Sequence, residues 1–220
     1  MSMALTKNRP YQPPPKSGGA RSFHGYDMFE TASALQKAIR RGQEEDAMYW
    51  ALEFLPKYDG WLWRRLLVIA NEDIGIADME VVRFVTTQLT AYYTMLNLNG
   101  KSEVLLVVAN TILAMCRAEK SRLADRFVCV TTHANGTERR EIPDHALDKH
   151  TRRGKAMGRG MQHFLTEGAV LSPESDIPDP YTEQAHAIWL SEYKPPARDF
   201  TVKSGSSTEK RMKQASFLKI

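Results

Sequence analysis

The sequence predicts a mainly α-helical protein, a helical bundle that carries one small β-hairpin and is flanked by two disordered basic tails. Three observations predict it. Apolar residues recur at helical spacing from Met28 to Cys116. One β-prone run, Phe127-Val128-Cys129-Val130-Thr131-Thr132, stands just before Asn135-Gly136, a dipeptide favoured in tight hairpins. Both ends of the chain are basic and lack an apolar stripe.

The elements follow in order. Residues 1–22, with Pro10, Pro13, Pro14, Pro15, Gly18 and Gly19, read as a disordered arm. Met28, Ala32, Leu35 and Ile39 fall on one helix face, and Gly42 follows Arg40-Arg41 as a C-terminal glycine follows a basic last turn. Ala47, Trp50, Ala51, Phe54 and Leu55 repeat the pattern until Pro56 stops it. Trp61 to Ala70 is a third helix, with Leu62, Leu66, Ile69 and Ala70 inward. Asp78 caps a long fourth, striped by Val82, Val85, Leu89, Tyr92, Tyr93 and Leu96. Ser102 caps a fifth, apolar on nearly all sides from Val104 to Cys116, as a central core helix would be. The hairpin then pairs Phe127–Thr132 with a return strand over Thr137–Ile142. A basic helix starts at Pro143 or Asp144, and Tyr181 to Tyr193 forms a last helix. The domain reading is an arm at 1–22, one helical domain at 23–202 and a mobile basic tail at 203–220.

Charge is unevenly spread. The formal net charge is +4, yet each tail alone carries +4, which leaves −4 on residues 23–202. A surface coated throughout for nucleic acid is therefore excluded, and any basic site in the body is local. Cys116 and Cys129 are the only cysteines, too few for a disulfide framework, so a reducing, cytoplasmic setting is expected. The first twenty residues do not read as a signal peptide, and no apolar run approaches the roughly 20 residues that span a bilayer. No membrane partner is expected.

The strongest charge pattern lies at residues 144–160. Lys149, Arg152, Arg153, Lys155 and Arg159 bring five cations with no acid between them, and Gly154, Gly158 and Gly160 punctuate the run. Like charges repel, so such a cluster serves an anionic partner or stands as a solvated helix face. These five residues are the candidate nucleic-acid contacts. His145, Asp148 and His150 are candidate metal ligands; His145 and Asp148 share a helix face, whereas His145 and His150 do not. No cofactor is expected.

Other motifs read as structural. Gly100-Lys101-Ser102 ends like a phosphate-binding loop, but Met95 occupies the place of the first glycine. No nucleophile elbow appears, and neither cysteine stands near a base. Asn71-Glu72-Asp73 puts two carboxylates at a helix C-terminus, where the dipole disfavours them unless they are paired. Arg40, Arg64 and Arg65 are the expected partners. Tyr49, Trp50, Trp61 and Trp63 lie near Arg64-Arg65, a pattern that fits base stacking or, more simply, core and rim packing.

Three segments together carry a family resemblance. They are Ser33–Gly42, Asp46–Ala51 and Arg64–Asp78, and the last contains Asn71-Glu72-Asp73-Ile74-Gly75-Ile76-Ala77-Asp78. They resemble the C-terminal region of the RarA/MgsA family of AAA+ ATPases, whose phrase SEDIGLAD matches Asn71 to Asp78. The resemblance covers roughly residues 26–125 and fades after about 126. It implies a helical domain like the collar of clamp loaders, self-association, and a replication or repair context at stalled forks. It does not bring ATP hydrolysis, because the sequence has no Walker motifs and no room for an ATPase domain before Tyr26. The expected function is a non-enzymatic, oligomerising accessory module of DNA replication and repair that touches nucleic acid through the basic helix. A protein-interaction module partnering a separate AAA+ ATPase, and a metal-dependent enzyme using His145, Asp148 and His150, are the alternatives.

Overall fold

Capping and apolar spacing set the helices of the first half. In the computed structural model, which describes residues 19–98 and 103–191, Asp27 begins α1 (Met28–Arg40) by accepting from the backbone N–H groups of Phe29 and Glu30 at 2.9 and 3.1 Å. Gly42 ends this segment at φ +69°, a backbone state that glycine adopts without a Cβ clash. Helix α2 (Glu44–Leu52) and α3 (Asp59–Ile69) follow. A π-helical turn at Ala70–Ile74 and a 3-10 turn at Gly75–Ala77 lead to α4 (Met79–Asn97). Asp78 caps α4 as expected, its carboxylate 3.0 Å from the N–H of Val81. Helices α5 (Val104–Arg117) and α6 (Leu123–Thr137) complete this half. The expected cap Ser102 and Tyr193 lie outside the described residues, as do residues 1–18 of the arm and the tail at 203–220. Residues 19–22, expected within the disordered arm, are described: Arg21 bridges to Asp27 and Ser22 is buried.

Close packing divides the chain into two units, Met1–Arg139 and Arg140–Ile220. In the first, α1 packs on α2, α3 and α5, and α4 packs on α5 and the π turn. Leu35, Ile39, Phe54, Leu62, Trp63, Leu66, Ile112 and Met115 are fully buried in the resulting core. Each such side chain contributes about 1.5–3 kcal/mol relative to an exposed one. Trp63 joins this core, while Trp50 and Trp61 pack against it from its edge as rim residues. The apolar helix α5 is not sealed on all sides: Leu105 and Leu106 are 41% and 66% exposed.

The expected hairpin does not form. No β-strand occurs among the described residues, and Phe127–Thr132 lies inside α6. Two local effects outweigh β-propensity. Leu123, Phe127, Val130 and Ala134 also fit helical spacing, and the hydroxyls of Thr131 and Thr132 donate to the carbonyls of Phe127 and Val128 at 2.7 and 2.6 Å. Asn135-Gly136 forms the last turn of the helix, and Thr137 ends it rather than starting a return strand.

The second unit consists of short pieces. A 3-10 turn spans Asp144–Ala146, α7 spans Arg152–Ala156, and α8 (Met161–His163) runs into a π turn at Phe164–Gly168. Helix α9 covers Thr182–Leu190. The long basic helix expected from Pro143 or Asp144 onward is thus replaced by a 3-10 turn, a bend and a single α-turn. Gly154 and Gly158 in the run, with φ +72° at Gly158, shorten it.

Candidate functional site

Two polar clusters hold the residues singled out from the sequence. The first is built on the π turn. Asp73 has no exposed surface. Its Oδ1 accepts from Arg40 Nε at 2.8 Å. Its Oδ2 accepts from Arg40 Nη2 at 3.1 Å and from Gln36 Nε2 at 2.9 Å. Arg122 stands on the other side, 3.7 Å from Asp73 Oδ1, and donates to Glu72 at 3.2 Å and Asp125 at 2.6 Å. The Asp73 carbonyl also accepts from the N–H of Ser121 at 2.9 Å.

This cluster ties α1 to the π turn and to the start of α6. Of the expected partners, Arg40 binds the carboxylates directly. Arg65 acts one step away, donating to the Gln36 side-chain oxygen, and Arg64 is exposed. Gln36 and Arg122 were not anticipated. Gln36 precedes Arg40 by one helical turn, so its shared face was legible. Arg122 is fifty residues from Glu72, and no local spacing points to it. Asp73 is buried and both its oxygens accept from Arg40 or Gln36. The arrangement is a structural lock.

The second cluster lies in the second unit and holds the basic run. Thr151 caps α7, its hydroxyl accepting from the N–H of Gly154 at 2.9 Å. Gly154 is buried against the preceding turn; a Cβ there would lie 1.9 Å from the Asp148 carbonyl oxygen. Arg159 closes the turn. Its Nη2 donates to both Asp144 carboxylate oxygens at 2.6 and 2.7 Å, and its Nη1 donates to the carbonyls of Asp144 and Leu147 at 2.7 and 2.9 Å. These bonds hold the Asp144 carboxyl below the usual carboxylate range. Lys149 lies 5.8 Å over the Phe164 ring, with its Nζ 3.5 Å from Met161 Sδ.

The five expected contacts therefore separate by role. Arg152, Arg153 and Lys155 sit together on α7, exposed and without a side-chain hydrogen bond or ion pair among the described residues. Lys149 is half-buried, and Arg159, only 14% exposed, is committed to the fold. The candidate metal ligands do not converge. Asp148 and His150 pair with each other at 2.8 Å, which lowers the Asp148 carboxyl, and His150 stands edge-on to Phe164. Among the described residues no group of three or more His, Cys, Asp or Glu is placed to hold a metal ion. No helix among the described residues is long and apolar enough to cross a membrane.

Comparison with known proteins gives a family. The family model described as MgsA AAA+ ATPase C terminal matches residues 42–186, through parts of both units. Replication-associated recombination protein A of Bacillus subtilis is 28% identical over 158 residues, covering 69% of this chain and 36% of that protein. The protein of the same name from Coxiella burnetii is 25% identical over 152 residues, covering 66% of this chain and 33% of its own. That of Escherichia coli K12 is 25% identical over 142 residues, covering 63% and 31%. The chain spans about a third of the length of these curated relatives. It belongs to the family of the C-terminal domain of MgsA-type AAA+ ATPases.

Proposed function

We propose that this chain is an accessory module of DNA replication and repair that self-associates and contacts nucleic acid through the α7 turn. The observation that carries the contact is the arrangement of Arg152, Arg153 and Lys155. They are three exposed cations within four residues, on a turn held rigid by the Thr151 cap and the Arg159–Asp144 clamp. Arginine suits phosphate because its planar fork donates two bonds at once. The relatives are named for replication-associated recombination, which supplies the context. Lys149 and Arg159 then serve as positioning residues beside the three contacts. In this reading the module is non-enzymatic, and ATP turnover belongs to an associated AAA+ ATPase domain.

The test is a titration of single-stranded and duplex DNA against wild type and the Arg152→Ala, Arg153→Ala double variant at several salt concentrations. Each lost phosphate contact lowers the magnitude of the log–log salt slope by about 1, so the double variant should lose about 2. Unchanged affinity and slope with unchanged circular dichroism would assign the cluster to a solvated face.

A second reading rests on α6. Leu123, Phe127 and Val130 are 56%, 65% and 67% exposed at spacings of four and three, a helix-packing stripe with no cover among the described residues. It favours self-association through protein contact, with the DNA-contacting turn repeated in each copy.

A further inference from the structure

A cavity of about 740 Å³ in the first unit is not explained by the function above. Phe23, His24, Tyr49, Leu52, Tyr92 and Leu105 line it. Phe23, Tyr49, Leu52 and Leu105 remain 71%, 43%, 40% and 41% exposed, an apolar and aromatic rim with no cover among the described residues. Among the described residues, the acids in the lining are Glu53 and Asp59. The rim is firm. Glu53 is 2% exposed and accepts from the Ser22 hydroxyl at 2.6 Å, from the His24 N–H at 3.0 Å and from the His24 ring. The His24 and Tyr49 rings lie parallel, 6.4 Å apart.

The described chain starts at Gly19, four residues before Phe23 on this rim. The preceding residues carry Tyr11, Pro13, Pro14 and Pro15, and Lys7, Arg9 and Lys16 with no acid. Proline runs bind aromatic-lined grooves because their extended helix is already formed and little entropy is lost on docking. The sign of charge is complementary to Asp59, which is only partly buried. From Gly19 back to Pro13 is six residues, a reach of about 19 Å at roughly 3.1 Å per residue in that conformation. The tether therefore spans the rim with no long loop to close. We propose that the segment Tyr11–Lys16 docks in cis in this cavity, its prolines against the Tyr49, Phe23 and Leu52 surfaces and Lys16 toward the Asp59 carboxylate.

A photo-reactive benzoyl-phenylalanine at position 11 of the full chain tests this. On irradiation at low protein concentration, the expected adducts are within one chain and fall on the segments holding Tyr49, Leu52 or Tyr92. Leu52→Arg, at an exposed rim position, should cut adduct yield markedly while leaving circular dichroism unchanged. Pro14→Gly with Pro15→Gly lies outside the core, leaves the folded body intact, and should lower the yield in the same way. Adducts elsewhere, no adducts, adducts only between chains, or yields indifferent to both variants would each overturn the proposal. Adducts between chains would assign the cavity to the arm of a second copy.

Discussion

Asp73 joins three parts of the fold through one side chain and one carbonyl, and its consequences can be stated residue by residue. Asp73→Asn keeps the shape but removes the charge facing Arg40 and Arg122 and turns an amide N–H₂ toward cations. The expected cost is about 3 kcal/mol, the lower end for breaking a buried pair because the arginines are partly exposed. Urea unfolding should show a lower midpoint at unchanged slope. Glu53 gives a pH effect. Burial raises its carboxyl pKa, but the donors from His24 and Ser22 outweigh this and hold it below the usual range. A depressed folded value means the stabilisation is complete above the unfolded value of about 4.5 and is lost as pH falls through the folded one. Glu53→Gln should therefore be less stable than wild type at neutral pH and lose less between about pH 5 and 3. Urea titrations of both proteins across that range check it. The pairing of Asp73 with Arg40 was legible in the sequence, because a helix C-terminus disfavours bare carboxylates. Arg122 and the Ser22–His24–Glu53 turn were not, since both depend on contacts between distant segments.

At the scale of elements, Gly154 decides whether the basic turn exists. A methyl group there would meet backbone atoms of Leu147 and Asp148, which cannot swing aside as a side-chain end can. Gly154→Ala should cost at least about 3 kcal/mol in the second unit, the upper part of the overpacking range. Hydrogen exchange of residues 147–157 should rise while that of α1–α5 stays unchanged. Helices α1 to α5 were legible from helical apolar spacing, with Gly42 and the Asp78 cap as the clearest punctuation, although α2 ends at Leu52, short of Pro56. Helix α6 was misread because its β-branched run satisfies both periods, and its threonine hydroxyls find acceptors in the carbonyls one turn back. The basic run was found by charge, but its continuity was overestimated. Spacing alone did not show that Arg159 would fold back on Asp144.

For the whole molecule, self-association through the α6 stripe makes a definite expectation. Light scattering should show an oligomer that persists at high salt, because apolar burial is not screened as surface charge is. Phe127→Ser with Val130→Ser should yield monomer with its helical signal retained. A wild-type monomer at every concentration would end that reading. The attachment of α6 adds a consequence. This helix has no buried residue of its own and touches the first unit at the π and 3-10 turns, beside the Asp73–Arg122 contact and the Ser121–Asp73 bond. The same lock thus sets where the stripe points. Assembly and folding become linked equilibria: each copy that binds draws the population toward the locked state by mass action. The stability lost in Asp73→Asn should then shrink as protein concentration rises, and Phe127→Ser should abolish that dependence.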